Sequence, residues 1–168
     1  MDEFGHIASR PATQGLYNAV GQRGVMENKV VLLIEDNPDD ERLTLRALRR
    51  NNIMNEVVVA CDGEEALDYL FGADAGPAPA LVVLDLKLPG VTGLEVLQRI
   101  RSEPKTRTVP VVALTSSEDN ASVRMAYAAG CNSYILKPTD PDEYADVVLQ
   151  IGMYWLLLNE RSCKRATN

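Results

Sequence analysis

Histidine is almost absent from this chain: the only one, His6, lies near the N-terminus and outside any patterned segment. That excludes a Ser-His-Asp triad, a Cys-His pair and a histidine metal cluster from the patterned part of the sequence. The three cysteines, Cys61, Cys131 and Cys163, are odd in number, far apart and free of any C-x-x-C pair. They argue against a disulfide framework and a zinc site, and for a reducing cytosol. No apolar run has the length of a membrane span; "VVLQIGMYWLLL" covers 12 residues and contains Gln150 and Gly152. No stretch is basic enough to reverse the formal net charge of -7 locally, so the field repels phosphate backbones and nucleic acid is not an expected partner.

What is present is a regular alternation. The 168 residues fit one domain, and no further domain is expected. Residues 1–28, rich in glycine, proline and polar side chains, lack a basic region followed by an apolar one and so do not read as a secretory signal. A leader, an alternative start and a cloning remnant all remain open for them. Residues 29–159 read as the folded domain and 160–168 as a C-terminal tail. Within the domain "KVVLLIE" precedes "DDERLTLRALRRNN", "EVVVAC" precedes "GEEALDYLF", and "ALVVLDL" precedes "GLEVLQRIRSE". "VPVVALT" then precedes "EDNASVRMAYAAG", and "SYILK" precedes a long helix from about Asp140 to Asn159. Five β-α units with continuous apolar strands predict a doubly wound, five-stranded parallel sheet covered on both faces.

In such sheets ligands gather at the carboxyl ends of the strands. Here the first strand ends in Glu35-Asp36, the third in Asp85, the fourth in Thr115-Ser116 and the fifth in Lys137-Pro138. Taken singly, each has an ordinary explanation. Glu35 and Asp36 can open a turn with Asp39 as helix N-cap, Asp85 can solvate the turn before Pro89, Ser116 or Ser117 can cap a helix, and Lys137 can be a surface lysine. Together they place three carboxylates, a hydroxyl and an ammonium on one edge. Three acids so close repel one another unless a cation neutralises them, and Mg²⁺ suits oxygen ligands while leaving room for phosphate oxygens. With that charge neutralised, Asp85 becomes a candidate nucleophile for phosphoryl transfer, Lys137 a fixed positive charge and Thr115 a hydroxyl donor.

"LLIEDNPDD", "VVLDLKLPGVTGLEVL", "VVALTSS" and "SYILKP", in that order and on those strands, resemble the receiver domain of two-component response regulators over residues 28–159. The resemblance implies a CheY-like, flavodoxin-like (βα)5 fold with strand order 2-1-3-4-5. It also implies a phosphoprotein, not an enzyme acting on external substrates: Asp85 is the phosphoacceptor and Thr115, Tyr134 and Lys137 the switch and catalytic residues. Asp36 is a direct Mg²⁺ ligand, Glu35 acts through water, and the Lys87 backbone carbonyl completes the protein ligands with Asp85. The Lys137–Pro138 peptide bond is expected to be cis. Glu35 departs from the aspartate of many receivers, a difference that lengthens the metal-facing side chain by one methylene.

The stretches "LTLRALRRNNI", "DGEEALDYLFG" and "YWLLLNE" are most similar to the stand-alone receivers paired with bacterial and cyanobacterial phytochrome histidine kinases. The implied partner is a sensor histidine kinase, and the implied output is a change in the surface of the fourth helix, fifth strand and fifth helix in a cytoplasmic phosphorelay. On the last helix Tyr144, Val147, Val148, Ile151, Trp155 and Leu158 form the expected core stripe, and Leu149, Met153 and Leu156 a second stripe expected to make a homodimer contact. Two other readings stay open: a constitutive dimeric scaffold or phosphate sink, and a Mg²⁺-dependent aspartyl phosphatase. Against the latter, Lys87 stands two residues after Asp85 where a general acid would be needed. An FMN carrier fits the fold but not the acids.

Overall fold

The computed structural model describes residues 29–50 and 53–159, and all of the predicted apolar runs form strands of one sheet. These are β1 (Val31–Ile34), β2 (Val57–Ala60), β3 (Leu81–Leu84), β4 (Val111–Thr115) and β5 (Ser133–Leu136). The helices between and after them are α1 (Pro38–Arg50), α2 (Gly63–Phe71), α3 (Gly93–Ser102), α4 (Asn120–Ala128) and α5 (Pro141–Gly152). All strand pairs are parallel and the order is β2-β1-β3-β4-β5, as expected. The fold is the flavodoxin-like, CheY-like α/β architecture. His6, Cys163, the N-terminal segment and the tail lie outside the described residues.

The period-2 geometry of strands accounts for the two cores. Leu32, Ile34, Val82, Leu84, Val111 and Ala113 face α2, α3 and α4, while Val31, Leu33, Leu81, Val83, Val112 and Leu114 face α1 and α5. The central strands β1, β3 and β4 are buried on both faces, which is why they read as unbroken apolar runs. Each fully buried leucine or valine among them contributes roughly 1.5–3 kcal/mol relative to exposure.

Local chemistry sets the helix starts. Asp62, Thr92, Asp119 and Asp140 accept backbone N–H groups at the starts of α2, α3, α4 and α5, Thr92 in a reciprocal capping box with Glu95. For α1 the side-chain oxygen comes from Asn37, which accepts the Asp39 N–H at 2.9 Å, with Pro38 opening the helix. Asp39 is therefore inside the helix and not its cap, and Asp119, rather than Ser116 or Ser117, caps α4.

The second correction concerns the last helix. After Gly152 the chain winds as a π-helical turn, Met153–Leu158, closed by the Asn159 N–H donating to the Tyr154 carbonyl five residues back at 2.7 Å. Each such i→i+5 step delays the phase, so the residue that follows Ile151 on the core face is Leu156 and not only Trp155. Leu156 is 3% exposed within the α1–α5 core, whereas Leu158, expected there, is 47% exposed. The expectation that Leu156 belongs to a free second stripe is overturned. Leu149 and Met153 remain half-buried. Leu156→Ala is expected to cost about 2–5 kcal/mol in urea unfolding, while Leu158→Ala stays within about 0.5 kcal/mol; equal costs would mean the α-helical phase continues.

Candidate functional site

The strand register brings the chemistry together. Ile34 lies opposite Leu84, so the next residues, Glu35 and Asp85, leave the sheet side by side at the point where strand order reverses. The Asp85 N–H donates to the Ile34 carbonyl at 3.0 Å, and the Glu35 N–H to the Ala60 carbonyl at 3.0 Å. Across β4, Thr115 pairs with Leu136, and the Lys137 N–H donates to the Thr115 carbonyl at 2.9 Å. Lys137 thus starts its side chain at the same edge. Behind Asp85 the first turn of α3 packs directly on the backbone: a Cβ on Gly93 would lie 2.3 Å from the Asp85 carbonyl oxygen, so only glycine permits this approach.

The Lys137 ammonium is the centre of the site. Its Nζ donates to Glu35 Oε2 at 2.6 Å, to Asp85 Oδ2 at 2.7 Å and to Asp40 Oδ2 at 2.8 Å. Three donors meet three carboxylates, and the lysine side chain is only 8% exposed. Burial works against its charge, but the hydrogen bonds it donates to Asp40, Asp85 and Glu35 outweigh that penalty and hold its pKa above the ordinary lysine value. Burial pushes the Glu35 carboxyl up; the Lys137 hydrogen bond and charge and the Asn37 N–H oppose the shift without cancelling it, and the Asp85 charge adds to it.

Asp85 is 5% exposed and keeps its second oxygen occupied by the Lys87 N–H, which donates to Oδ1 at 2.8 Å. Asp36 faces solvent, yet its carboxylate oxygen lies with those of Glu35 and Asp85 inside a 4.8 Å group. An all-oxygen donor set with one solvent-facing acid fits a hard divalent cation that keeps part of its water shell. Thr115 is fully buried, with its Oγ1 accepting the Ser117 N–H at 3.4 Å. Tyr134 is half-buried against the α2–α4 core, and its hydroxyl donates to the Ser117 carbonyl at 2.8 Å, tying β5 to the β4–α4 loop.

Glu35, Asp36, Asp85 and Lys137 therefore meet as the sequence predicted, with Thr115 at the next strand end. Among the described residues no peptide bond is cis, so the expectation for Lys137–Pro138 is corrected: the bond is trans. Trans is intrinsically favoured at X–Pro by roughly 0.5–1 kcal/mol, and in this form the Lys137 side chain reaches all its acceptors. Asp40 was not singled out from sequence. Acids in a first helical turn ordinarily favour the helix dipole, which hides a second role, but Asp40 shares the helical face of the buried Thr44, Ala47 and Leu48. That spacing was the available signal.

A buried carboxylate paired with a fixed ammonium, beside an oxygen cluster that fits a divalent cation, stands at the carboxyl edge of a doubly wound sheet. Residues 31–149 match the response regulator receiver domain family, and the chain belongs to it. It is 39% identical over 129 residues to the probable methanogenesis regulatory protein FilR2 of Methanothrix harundinacea, covering 76% of this chain and 83% of that protein. Response regulator Rcp1 of Synechocystis is 34% identical over 131 residues, covering 76% and 89%. The phosphorylated cyanobacterial phytochrome response regulator RcpA superposes with a TM-score of 0.76 at 35% identity, covering 82% of this chain and 100% of that one. Rcp1 has also been solved in a Mn²⁺-bound form, with a TM-score of 0.74 at 33% identity, covering 80% and 99%.

Removing the lysine charge tests the balance. Lys137→Met leaves Glu35 and Asp85 buried without their shared cation, and is expected to lose of order 3 kcal/mol at pH 7 in divalent-free buffer. The loss should shrink as pH falls, because the Glu35 carboxyl, already pushed up by burial, then loses the lysine that opposes the shift, and protonating a group whose folded pKa is raised favours the folded state. Urea melts at pH 7 and pH 5 measure this; a pH-independent difference would mean the acids were not held by the lysine.

Proposed function

We propose that this receiver takes a phosphoryl group onto Asp85 from the phosphohistidine of a sensor histidine kinase, with Mg²⁺ as its divalent cation. The observation that carries the reading is the shared grip of Lys137 on Asp85 and Glu35, with Asp36 beside them. In the transfer a carboxylate oxygen of Asp85 bonds to phosphorus while the phosphorus–nitrogen bond of the donor breaks, and the imidazole leaves with its electron pair and takes up a proton. Bound Mg²⁺ would be held by Asp36, Asp85 and the Lys87 carbonyl, with Glu35 acting through water, and would neutralise charge on the acids and phosphoryl oxygens. Lys137 then supplies a buried positive charge that needs no rearrangement of solvent.

The switch follows from the same edge. The Thr115 hydroxyl, fully buried one strand away, donates to a phosphoryl oxygen, and Tyr134 adjusts with it because its hydroxyl already holds the Ser117 carbonyl in the adjoining loop. The surface changed is that of α4, β5 and α5, a local charge event biasing a two-state element. Similarity to the cyanobacterial phytochrome response regulator RcpA supports a phytochrome histidine kinase as the donor. Among the described residues no helix is long and apolar enough to cross a membrane. The half-buried Leu149 and Met153 support a homodimer through the last helix, with Leu156 withdrawn from that surface.

Intact mass after incubation with acetyl phosphate tests the phosphoacceptor. A Mg²⁺-dependent phosphoryl adduct on the wild type, absent from Asp85→Asn, is expected; an adduct that persists in the variant places the chemistry elsewhere. For the dimer, light scattering should show Met153→Glu as a monomer with the wild type a dimer, and an unaltered mass would exclude this surface.

A further inference from the structure

The Lys137 ammonium has one more partner than the phosphoacceptor reading needs. Asp40, in the first turn of α1, accepts a hydrogen bond from its third N–H at 2.8 Å, although Asp40 comes from none of the strand ends that build the site. We infer that Asp40 is a positioning residue for phosphoryl transfer: it holds the third donor of Lys137 until a phosphoryl oxygen takes that donor over. The inference rests on Asp85 being the phosphoacceptor.

Three observations carry it. First, an ammonium has three protons and no more, and all three are taken by Glu35, Asp85 and Asp40. A phosphoryl oxygen arriving on Asp85 can gain a hydrogen bond from Lys137 only by displacing one acceptor. Second, the acceptors differ in access to water: the side chain of Asp40 is 23% exposed, against 2% for Glu35 and 6% for Asp85. Releasing Asp40 is the cheapest exchange, since water can replace the lost donor there, whereas an orphaned buried carboxylate bears the full desolvation cost. Third, Asp40 is itself anchored. One turn along the same face, Thr44 and Tyr144 share a buried hydrogen bond at 2.9 Å that locks α1 against α5. The Lys137 tether and the Thr44–Tyr144 bond therefore hold consecutive turns of α1, and the carboxylate of Asp40 is presented to the lysine from a fixed helix.

The Asp40 carboxylate also shapes where the ammonium sits. Without it the ammonium is drawn only by Glu35 and Asp85, and one N–H turns to solvent. The lysine then has a larger range of positions and is less often aligned with the incoming group. Asp39 provides the control: it is adjacent in sequence and carries the same charge, but it is solvent-exposed and pairs with Arg42 rather than Lys137.

The test compares wild type, Asp40→Ala, Asp40→Asn and Asp39→Ala. In metal-free protein the ¹H–¹⁵N signal of the Lys137 ammonium, assigned by its loss in Lys137→Arg, should be sharp in wild type and Asp39→Ala and broadened beyond detection in Asp40→Ala. With Mg²⁺ and acetyl phosphate, adduct formation in Asp40→Ala should be about 10-fold slower, as befits a displaced but still present cation. Asp40→Asn, which keeps an acceptor oxygen at the same place, should recover to within about 3-fold of wild type, a rescue that a purely structural or long-range charge role would not produce. If Asp40→Ala matches Asp39→Ala in signal and rate while wild type forms its adduct, the inference is wrong. If wild type forms no adduct yet the ammonium signal still depends on Asp40, the phosphoacceptor reading fails and not the lysine tether.

Discussion

One buried ammonium makes the rest of the functional edge possible. Glu35 and Asp85 leave adjacent strands one residue past a register pair, at only a few per cent exposure, and two carboxylates buried side by side repel one another unless a cation lies between them. Lys137 supplies it from the end of β5, on the far side of β4. The arrangement leaves the solvent-facing acid, Asp36, free of the lysine, so the site divides into a side held by the fixed ammonium and a side open to a divalent cation.

With β1, β3 and β4 apolar on both faces, polar chemistry is confined to strand ends, and the carboxyl ends gather it at the reversal of strand order. The opposite edge is tied by different means. There Arg101, at the end of α3, donates to the carbonyls of Val109 and Gly130 and to the Asn132 side chain, whose oxygen also accepts the Val111 N–H. That network closes the loops before β4 and β5 and carries no group suited to transfer chemistry. One edge of the sheet is stapled and the other is reactive.

Much of this was legible from residue order. Strand-helix alternation predicted the parallel sheet, and the residues ending each strand predicted which side chains would meet, since any parallel sheet presents its strand ends together. Three features were not legible, each for a physical reason. Asp40 looked like a helix-dipole acid because its partner is 97 residues away and only the packing of α1 against α5, which follows Lys137 in the chain, brings them into contact. Leu156 and Leu158 exchanged places because a π turn changes the period on which a stripe is drawn, and nothing in "GMYWLLL" marks where that period changes. The Lys137–Pro138 bond is trans, a choice between two states whose intrinsic difference is roughly 0.5–1 kcal/mol and therefore left to tertiary context.

The sequence by itself determined the architecture, the family and the chemical cast of Glu35, Asp36, Asp85, Thr115 and Lys137, because these follow from periodicity and from which residue stands next after each apolar run. Only the tertiary structure decided how the charges are shared: that one lysine divides its three protons among three carboxylates, that the Tyr134 hydroxyl holds the Ser117 carbonyl, and that the last helix shifts phase to bury Leu156. Hydrogen-bond partners and burial depend on distances of a few tenths of an ångström between elements far apart in the chain, and no local pattern encodes them.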